Sequence, residues 1–108
     1  MKRAIKASYD DAVTLNVIYE VHGRAGSGGL KRAVVHAPTL IDALKKLVDR
    51  MGLYINSEMI ERKNMTPEEV IERIKESNGD GCDYIIQLNN LSTREVLVQG
   101  EDFSEEEW

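Results

Sequence analysis

The sequence predicts an α+β fold: an antiparallel sheet of about five strands with two main helices on one face, in the order β-β-β-α-α-β-β. Three observations lead to this fold class. Residues 13–21 alternate between apolar and polar side chains, which is typical of a half-buried strand. Residues 39–52 change to the spacing of an amphipathic helix. The chain then closes with two short β-rich segments, at residues 83–88 and 95–99.

The central unit is a hairpin built around the glycine-rich loop of residues 23–29. A register in which paired residue numbers sum to 52 keeps the apolar side chains of both strands on the inner face. On the outer face this register places Glu20 opposite Arg32, a favourable charge pair, and Ile18 opposite Val34. The sequence therefore predicts an apolar pair, Ile18 and Val34, on the side of the sheet that faces water.

A further strand is predicted ahead of this hairpin. Ile5, Ala7 and Tyr9 alternate with polar residues. Asp10 and Asp11 follow, and Asp tolerates a tight turn. We therefore expect the first strand to pair with the strand that comes directly after it.

The first helix has a clear beginning and end. Thr39 is predicted as its N-cap, and Asp42 occupies the position where a capping box usually carries Glu or Gln. Asp42 is also expected to pair with Lys46, and Gly52 to stop the helix. The core-facing stripe covers an arc of about 120°. It consists of Leu40, Ile41, Leu44, Leu47, Val48 and Met51.

The middle of the chain is less regular. Between Leu53 and Met65 the pattern fits either a short strand or a short helix, and we favour a helix capped by Ser57. Residues 66–69 read Thr-Pro-Glu-Glu, which is typical of a helix beginning with a capping box. Residues 78–81 end this second main helix.

The last part of the chain is predicted to be a hairpin. Its strands run from Asp83 to Leu88 and from Glu95 to Gln99. Ile85 and Leu97 place apolar side chains on the face opposite the main apolar stripe. This indicates a central position in the sheet or a covered back face.

Length and composition indicate a globular protein. The chain has 108 residues, of which 42% are hydrophobic and 31% charged. We expect one domain over residues 1–100, followed by an acidic tail over residues 101–108 that contains aromatic residues. No apolar run approaches the roughly 20 residues needed to span a bilayer, and no signal peptide is evident. Cys82 is the only cysteine, so we predict a cytoplasmic protein without membrane association.

The charge is unevenly distributed. The formal net charge is −5, yet residues 101–108 alone carry five acids and no base. The rest of the chain holds 14 acids and 14 bases, because the whole chain has 19 acids and 14 bases. The first 32 residues instead have an excess of basic over acidic side chains. Those bases are Lys2, Arg3, Lys6, Arg24, Lys31 and Arg32.

No catalytic, cofactor or metal site emerges from the sequence. The loop of residues 23–31 is glycine-rich and basic, but it joins two strands and matches no phosphate-binding motif, so we interpret it as a hairpin tip. His22 and His36 fall on one face without the further ligands that a zinc site needs, and we interpret them as solvent-facing. Cys82 precedes an acidic residue and is interpreted as structural.

Two function classes follow, and neither is an enzyme. The first is a small protein-interaction module, inhibitor or accessory protein of bacterial or phage type, which binds a protein partner or a second copy of itself as a homodimer. Its contacts would be the outer apolar pair, Ile18 and Val34, and the tail aromatics Phe103 and Trp108. The alternative is a nucleic-acid-associated protein. Its phosphate contacts would be Lys2, Arg3, Lys6, Arg24, Lys31 and Arg32.

Overall fold

The computed structural model describes residues 13–21, 30–80 and 83–100. These residues form four strands and three helices. In chain order they are β1 (Val13–Glu20), β2 (Leu30–Ala37), α1 (Leu40–Arg50), α2 (Ser57–Lys63), α3 (Pro67–Ser77), β3 (Tyr84–Asn90) and β4 (Glu95–Gln99). The predicted α+β class is confirmed, with three helices where the sequence predicts two main ones.

The four strands make one antiparallel sheet in the order β2-β1-β3-β4. β3 is therefore a central strand, as the apolar residues on both of its faces predicted. The predicted first strand, residues 5–9, lies outside the described residues. Its pairing with β1 is wrong, because β2 and β3 occupy the two edges of β1. Neighbours in sequence were expected to pair, but β1 pairs with a strand from the far end of the chain.

The register of the β1–β2 pair differs from the prediction by two residues. Paired residue numbers sum to 50, so Ile18 lies opposite Arg32, and Val34 lies opposite Asn16. A two-residue shift keeps every side chain on its predicted face. The alternation of apolar residues therefore fixes the faces but cannot distinguish these two registers.

Specific outer-face contacts accompany the observed register. Arg32 Nε donates to Asn16 Oδ1 at 2.7 Å. Arg32 lies diagonally from Asn16, a distance that a long side chain spans. The predicted pairing of Glu20 with Arg32 is wrong, since Glu20 lies opposite Leu30.

The hydrophobic core lies between the inner face of the sheet and the three helices. Leu15, Val17 and Leu88 from the central strands are fully buried. They join buried side chains of α1, α2 and α3 in a single cluster. The helical members include Ala43, Leu44, Leu47, Val48, Ile60, Val70 and Ile74. Burial of this apolar surface is the main stabilising contribution to the fold.

The ends of α1 follow the prediction only in part. Thr39 Oγ1 accepts the backbone N–H of Asp42 at 3.2 Å, so the predicted N-cap is confirmed. The helix ends with Met51 as its C-cap in extended conformation, and Gly52 is not the left-handed stop that was predicted. Gly52 instead exchanges two hydrogen bonds with Asp83, which ties the end of α1 to the start of β3.

The two later helices also have defined N-caps. The short helix favoured in the middle of the chain is present, but its cap is Asn56, whose side chain accepts the N–H of Met59 at 2.9 Å. Ser57 is the first helical residue instead. The capping box predicted for α3 is confirmed, with Thr66 and Glu69 each accepting the other's backbone N–H.

Candidate binding surface

One face of the sheet carries no helix among the described residues, because α1, α2 and α3 all contribute to the core on the inner face. Strand pairing defines the side chains that share this opposite side, which we call the outer face. They include Thr14, Asn16, Ile18, Glu20, Leu30, Arg32, Val34, His36, Gln87, Asn89, Val96 and Gln99. Backbone geometry thus aligns side chains from all four strands on this face.

The middle of the outer face is a row that crosses the whole sheet. Val34 of β2 lies opposite Asn16 of β1, Asn16 lies opposite Asn89 of β3, and Asn89 lies opposite Val96 of β4. The two valines at the ends are 38% and 53% exposed, whereas Asn16 is only 5% exposed. Two carboxamides are thus flanked by two solvent-exposed aliphatic side chains.

Several polar side chains of the outer face hold one another in place. Thr14 Oγ1 lies 3.0 Å from His36 Nδ1, and Gln87 Nε2 donates to Gln99 Oε1 at 3.1 Å. Asn89 Oδ1, by contrast, is buried without a hydrogen-bond partner among the described residues. A buried amide oxygen without a partner destabilises the isolated fold. The outer face is therefore ordered, but it is not optimised for stability alone.

The two outer-face residues predicted as contacts are placed as follows. Ile18 and Val34 share the outer face, as predicted, but they are diagonal neighbours and not a directly opposed pair. Ile18 is half-buried between Arg32 on β2 and Gln87 on β3. Val34 is the more accessible of the two, and Leu30 and Val96 are further exposed apolar side chains of this face.

Cationic side chains border the outer face on the β2 side. We call Arg32, Lys46 and Arg50 the cationic margin. Lys46 Nζ donates to the carbonyl of His36 at 2.8 Å, and Arg50 NH1 donates to the carbonyl of Val34 at 3.4 Å. These two contacts place helix α1 cations along the edge strand. Charged side chains of this kind protect an edge strand from pairing with another chain.

Sequence reasoning identified only Arg32 of this margin. Lys31 was also predicted as a basic contact, but it alternates with Arg32 and lies on the inner-face side of β2. Lys46 was assigned to an ion pair with Asp42. Lys46 and Arg50 are four residues apart on α1 and therefore lie on the same side of the helix. The spacing of Lys46 and Arg50 was visible in the sequence. Which strand this side of α1 faces, however, depends on the strand order of the sheet.

The remaining predicted contacts cannot be placed. Lys2, Arg3, Lys6 and Arg24 lie outside the described residues, as do the tail residues Phe103 and Trp108. His22 and Cys82 also lie outside them.

Other surfaces of the described residues bring fewer ionisable side chains together. An open groove of about 480 Å³ lies between α3 and β4, and its ionisable lining residues are Lys75 and Tyr84. Lys75 lies 3.7 Å from Glu72 on the same helix. Within the described parts of the chain, no group of three or more His, Cys, Asp and Glu side chains is arranged to hold a metal ion.

Comparison with known proteins gives no assignment: no family model, curated protein or solved structure matches the chain. None of the helices in residues 13–21, 30–80 and 83–100 has the length and apolar character that crossing a membrane requires.

Proposed function

We propose that the protein is a non-enzymatic protein-interaction module that binds an acidic segment of a partner protein on the outer face. The observation that carries this proposal is the combination of a row of aliphatic and amide side chains that no described helix covers with a cationic margin along one side. The exposed valines at the ends of the row supply apolar contact, and the margin supplies charge complementarity.

Accessible apolar side chains support the choice of the outer face. Val34 and Val96 stand about three strand spacings apart, roughly 14 Å, on opposite edges of the sheet. An extended segment lying across the strands would contact both of them. Asn16 and Asn89 lie between the two valines, but Asn16 is only 5% exposed and Asn89 Oδ1 is buried, so the valines would make the direct contacts with such a segment.

The cationic margin supports an acidic partner. Within the described residues, Arg32, Lys46 and Arg50 form no ion pair with a carboxylate. In contrast, three cations of the helical layer do form such pairs: Lys45 with Glu61, Arg62 with Glu58, and Lys75 with Glu72. A partner's carboxylates would therefore meet cations that hold no carboxylate of the described residues within ion-pair distance.

A second copy of the chain fits this surface less well. A two-fold symmetric contact through the β2 side would bring two cationic margins together, and juxtaposed like charges oppose association. An acidic segment of another protein avoids that repulsion.

The experiment compares two variants with equal changes in charge. Val34→Asp with Arg32→Glu alters the outer face and its margin, whereas Tyr54→Asp with Lys63→Glu alters exposed positions on the helical side. The immobilised proteins are incubated with lysate of the native cell, and captured proteins are quantified. We expect a partner that the wild type and the helical-side variant retain equally and the outer-face variant loses by about tenfold. Equal capture by all three proteins would contradict the proposal.

The cationic margin also favours a second candidate, binding to the phosphate backbone of nucleic acid. Two to four phosphate contacts would give a slope of about −2 to −4 for log K against log salt concentration. Titration of generic DNA and RNA at low salt, with and without residues 101–108, measures this directly. Absence of binding by both forms eliminates the nucleic-acid function and leaves the protein-binding one.

A further inference from the structure

We propose that residues 101–108 of the same chain fold back over the outer face and occupy it until a partner displaces them. This inference rests on the proposed function, because it takes the outer face to be a contact surface. The tail would then act as an intramolecular competitor for the partner's acidic segment.

The starting point of the tail is fixed. Gly100 follows β4 directly, and its N–H donates to the carbonyl of Ile86 at 2.9 Å. A Cβ atom at this position would lie 2.6 Å from the carbonyl oxygen of Ile85, so the backbone approaches β3 more closely than any other residue type allows. Gly100, the residue before the tail, is therefore held next to the β3–β4 pair.

The route from this point to the cationic margin is short. Gln99 lies in a row with Gln87, Ile18 and Arg32, one residue from each strand. Three strand spacings separate its ends, a distance of about 14 Å. Eight extended residues span up to about 26 Å, so the tail is long enough to cross the outer face to β2 and to turn once on the way.

The chemistry of the tail matches the surface it would cross. The tail carries five carboxylates, and Arg32 lies in the same row of the outer face as Gln99, at the end of the sheet where β4 terminates. Phe103 and Trp108 are the only phenylalanine and the only tryptophan of the chain. Val34 and Val96 are exposed aliphatic side chains against which aromatic rings can pack.

Because the tail is attached to the chain, weak contacts are enough to hold it on the outer face. Exposed ion pairs contribute little individually, but a short tether raises the effective concentration of the tail to the millimolar range. A partner must therefore compete with the tail, and removal of the tail should strengthen partner binding.

Trp108 provides the test, because tryptophan emission in this chain reports on the tail alone. Emission and acrylamide quenching are measured for the full chain and for a free peptide of residues 101–108. We expect the full chain to emit at shorter wavelength than the peptide and to be quenched less. Emission and quenching equal to those of the peptide would overturn the proposal.

Matched variants locate the docking site. Arg32→Glu with Val34→Asp should lower the ratio of docked to free tail about fivefold, as loss of about two exposed contacts implies. Tyr54→Asp with Lys63→Glu should leave the emission unchanged. If only the second variant moves the emission, the tail docks on the helical side and the proposal is wrong.

A dilution series separates the tail's own chain from a neighbouring copy. Docking within one chain predicts the same emission at every protein concentration. Loss of the short-wavelength emission on dilution would assign the occupant to a second copy and overturn docking within one chain.

Partner capture by the form lacking residues 101–108 distinguishes failure of this inference from failure of the proposed function. If the tail does not dock, the full and shortened chains capture a partner equally and the proposed function stands. If the shortened chain captures nothing through the outer face, the proposed function fails whatever the tail does.

Discussion

The two faces of the same sheet differ in what their side chains do. The inner face buries Leu15, Val17 and Leu88 completely under three helices. The outer face exposes Val34 and Val96 and keeps amides where β-branched residues would stabilise the strands better. Because the two faces share one backbone, their difference separates the residues that stabilise the fold from the residues available for binding.

The largest effect that tests this difference is truncation of an inner-face side chain. Leu15→Ala removes a fully buried side chain on a central strand and should lower the free energy of unfolding by about 2–5 kcal/mol. Val96→Ala on the outer face should cost no more than about 1 kcal/mol. Urea denaturation measures both changes. Similar losses for the two variants would show that the outer face is also covered.

The next effect concerns the point where the tail leaves the sheet. Gly100→Ala forces a Cβ atom against the Ile85 carbonyl and the Tyr84 hydroxyl, each 2.6 Å away, and should destabilise by about 1–3 kcal/mol. Gly52→Ala is the control, because its Cβ would lie 3.5 Å from the Asp83 carboxylate, an ordinary contact. Thermal unfolding should rank Gly100→Ala well below Gly52→Ala. The reverse ranking would contradict the fixed exit of the tail.

A smaller effect has the opposite sign. Asn16→Val replaces an outer-face amide by a residue with higher strand propensity and should stabilise the protein by about 0.5–1 kcal/mol. Arg32 loses its acceptor but stays exposed to water. Destabilisation by more than 1 kcal/mol would instead assign Asn16 to the stability of the fold.

The smallest effect on stability is expected at the edge of β2. Lys46→Ala with Arg50→Ala removes two donors from the carbonyls of His36 and Val34 and should change stability by about 0.5 kcal/mol or less. Without these two cations, however, the edge of β2 should pair with another copy of the protein. Sedimentation velocity would detect this self-association. A double variant that sediments as the wild type does would remove edge protection as a role for these cations.

Much of the fold was accessible from sequence because local patterns determine it. Period-2 alternation assigned the residues of β1 and β2 to the correct faces, and the Thr66 capping box placed the start of α3. The predicted β1–β2 register was wrong by two residues, because a two-residue shift leaves every apolar side chain on the same face of the sheet. The partner of β1 was missed as well, since β3 lies some seventy residues away in sequence.

The candidate surface was predictable to a smaller extent. Ile18 and Val34 were correctly placed on the outer face, but Asn89, Val96 and the row across all four strands depend on the strand order. Lys46 and Arg50 were missed because a local ion pair seemed sufficient for Lys46. Their contacts with β2 exist only once α1 has packed on the sheet.

The measurement that tests the central claim most directly is site-specific photo-crosslinking. A photoreactive amino acid replaces Val34 on the outer face or Tyr54 on the helical side, both of which are exposed. The protein is expressed without residues 101–108 in the native cell and irradiated there. We expect a crosslinked partner protein from position 34 and none from position 54. A partner crosslinked from position 54 alone would contradict assignment of the outer face as the binding surface.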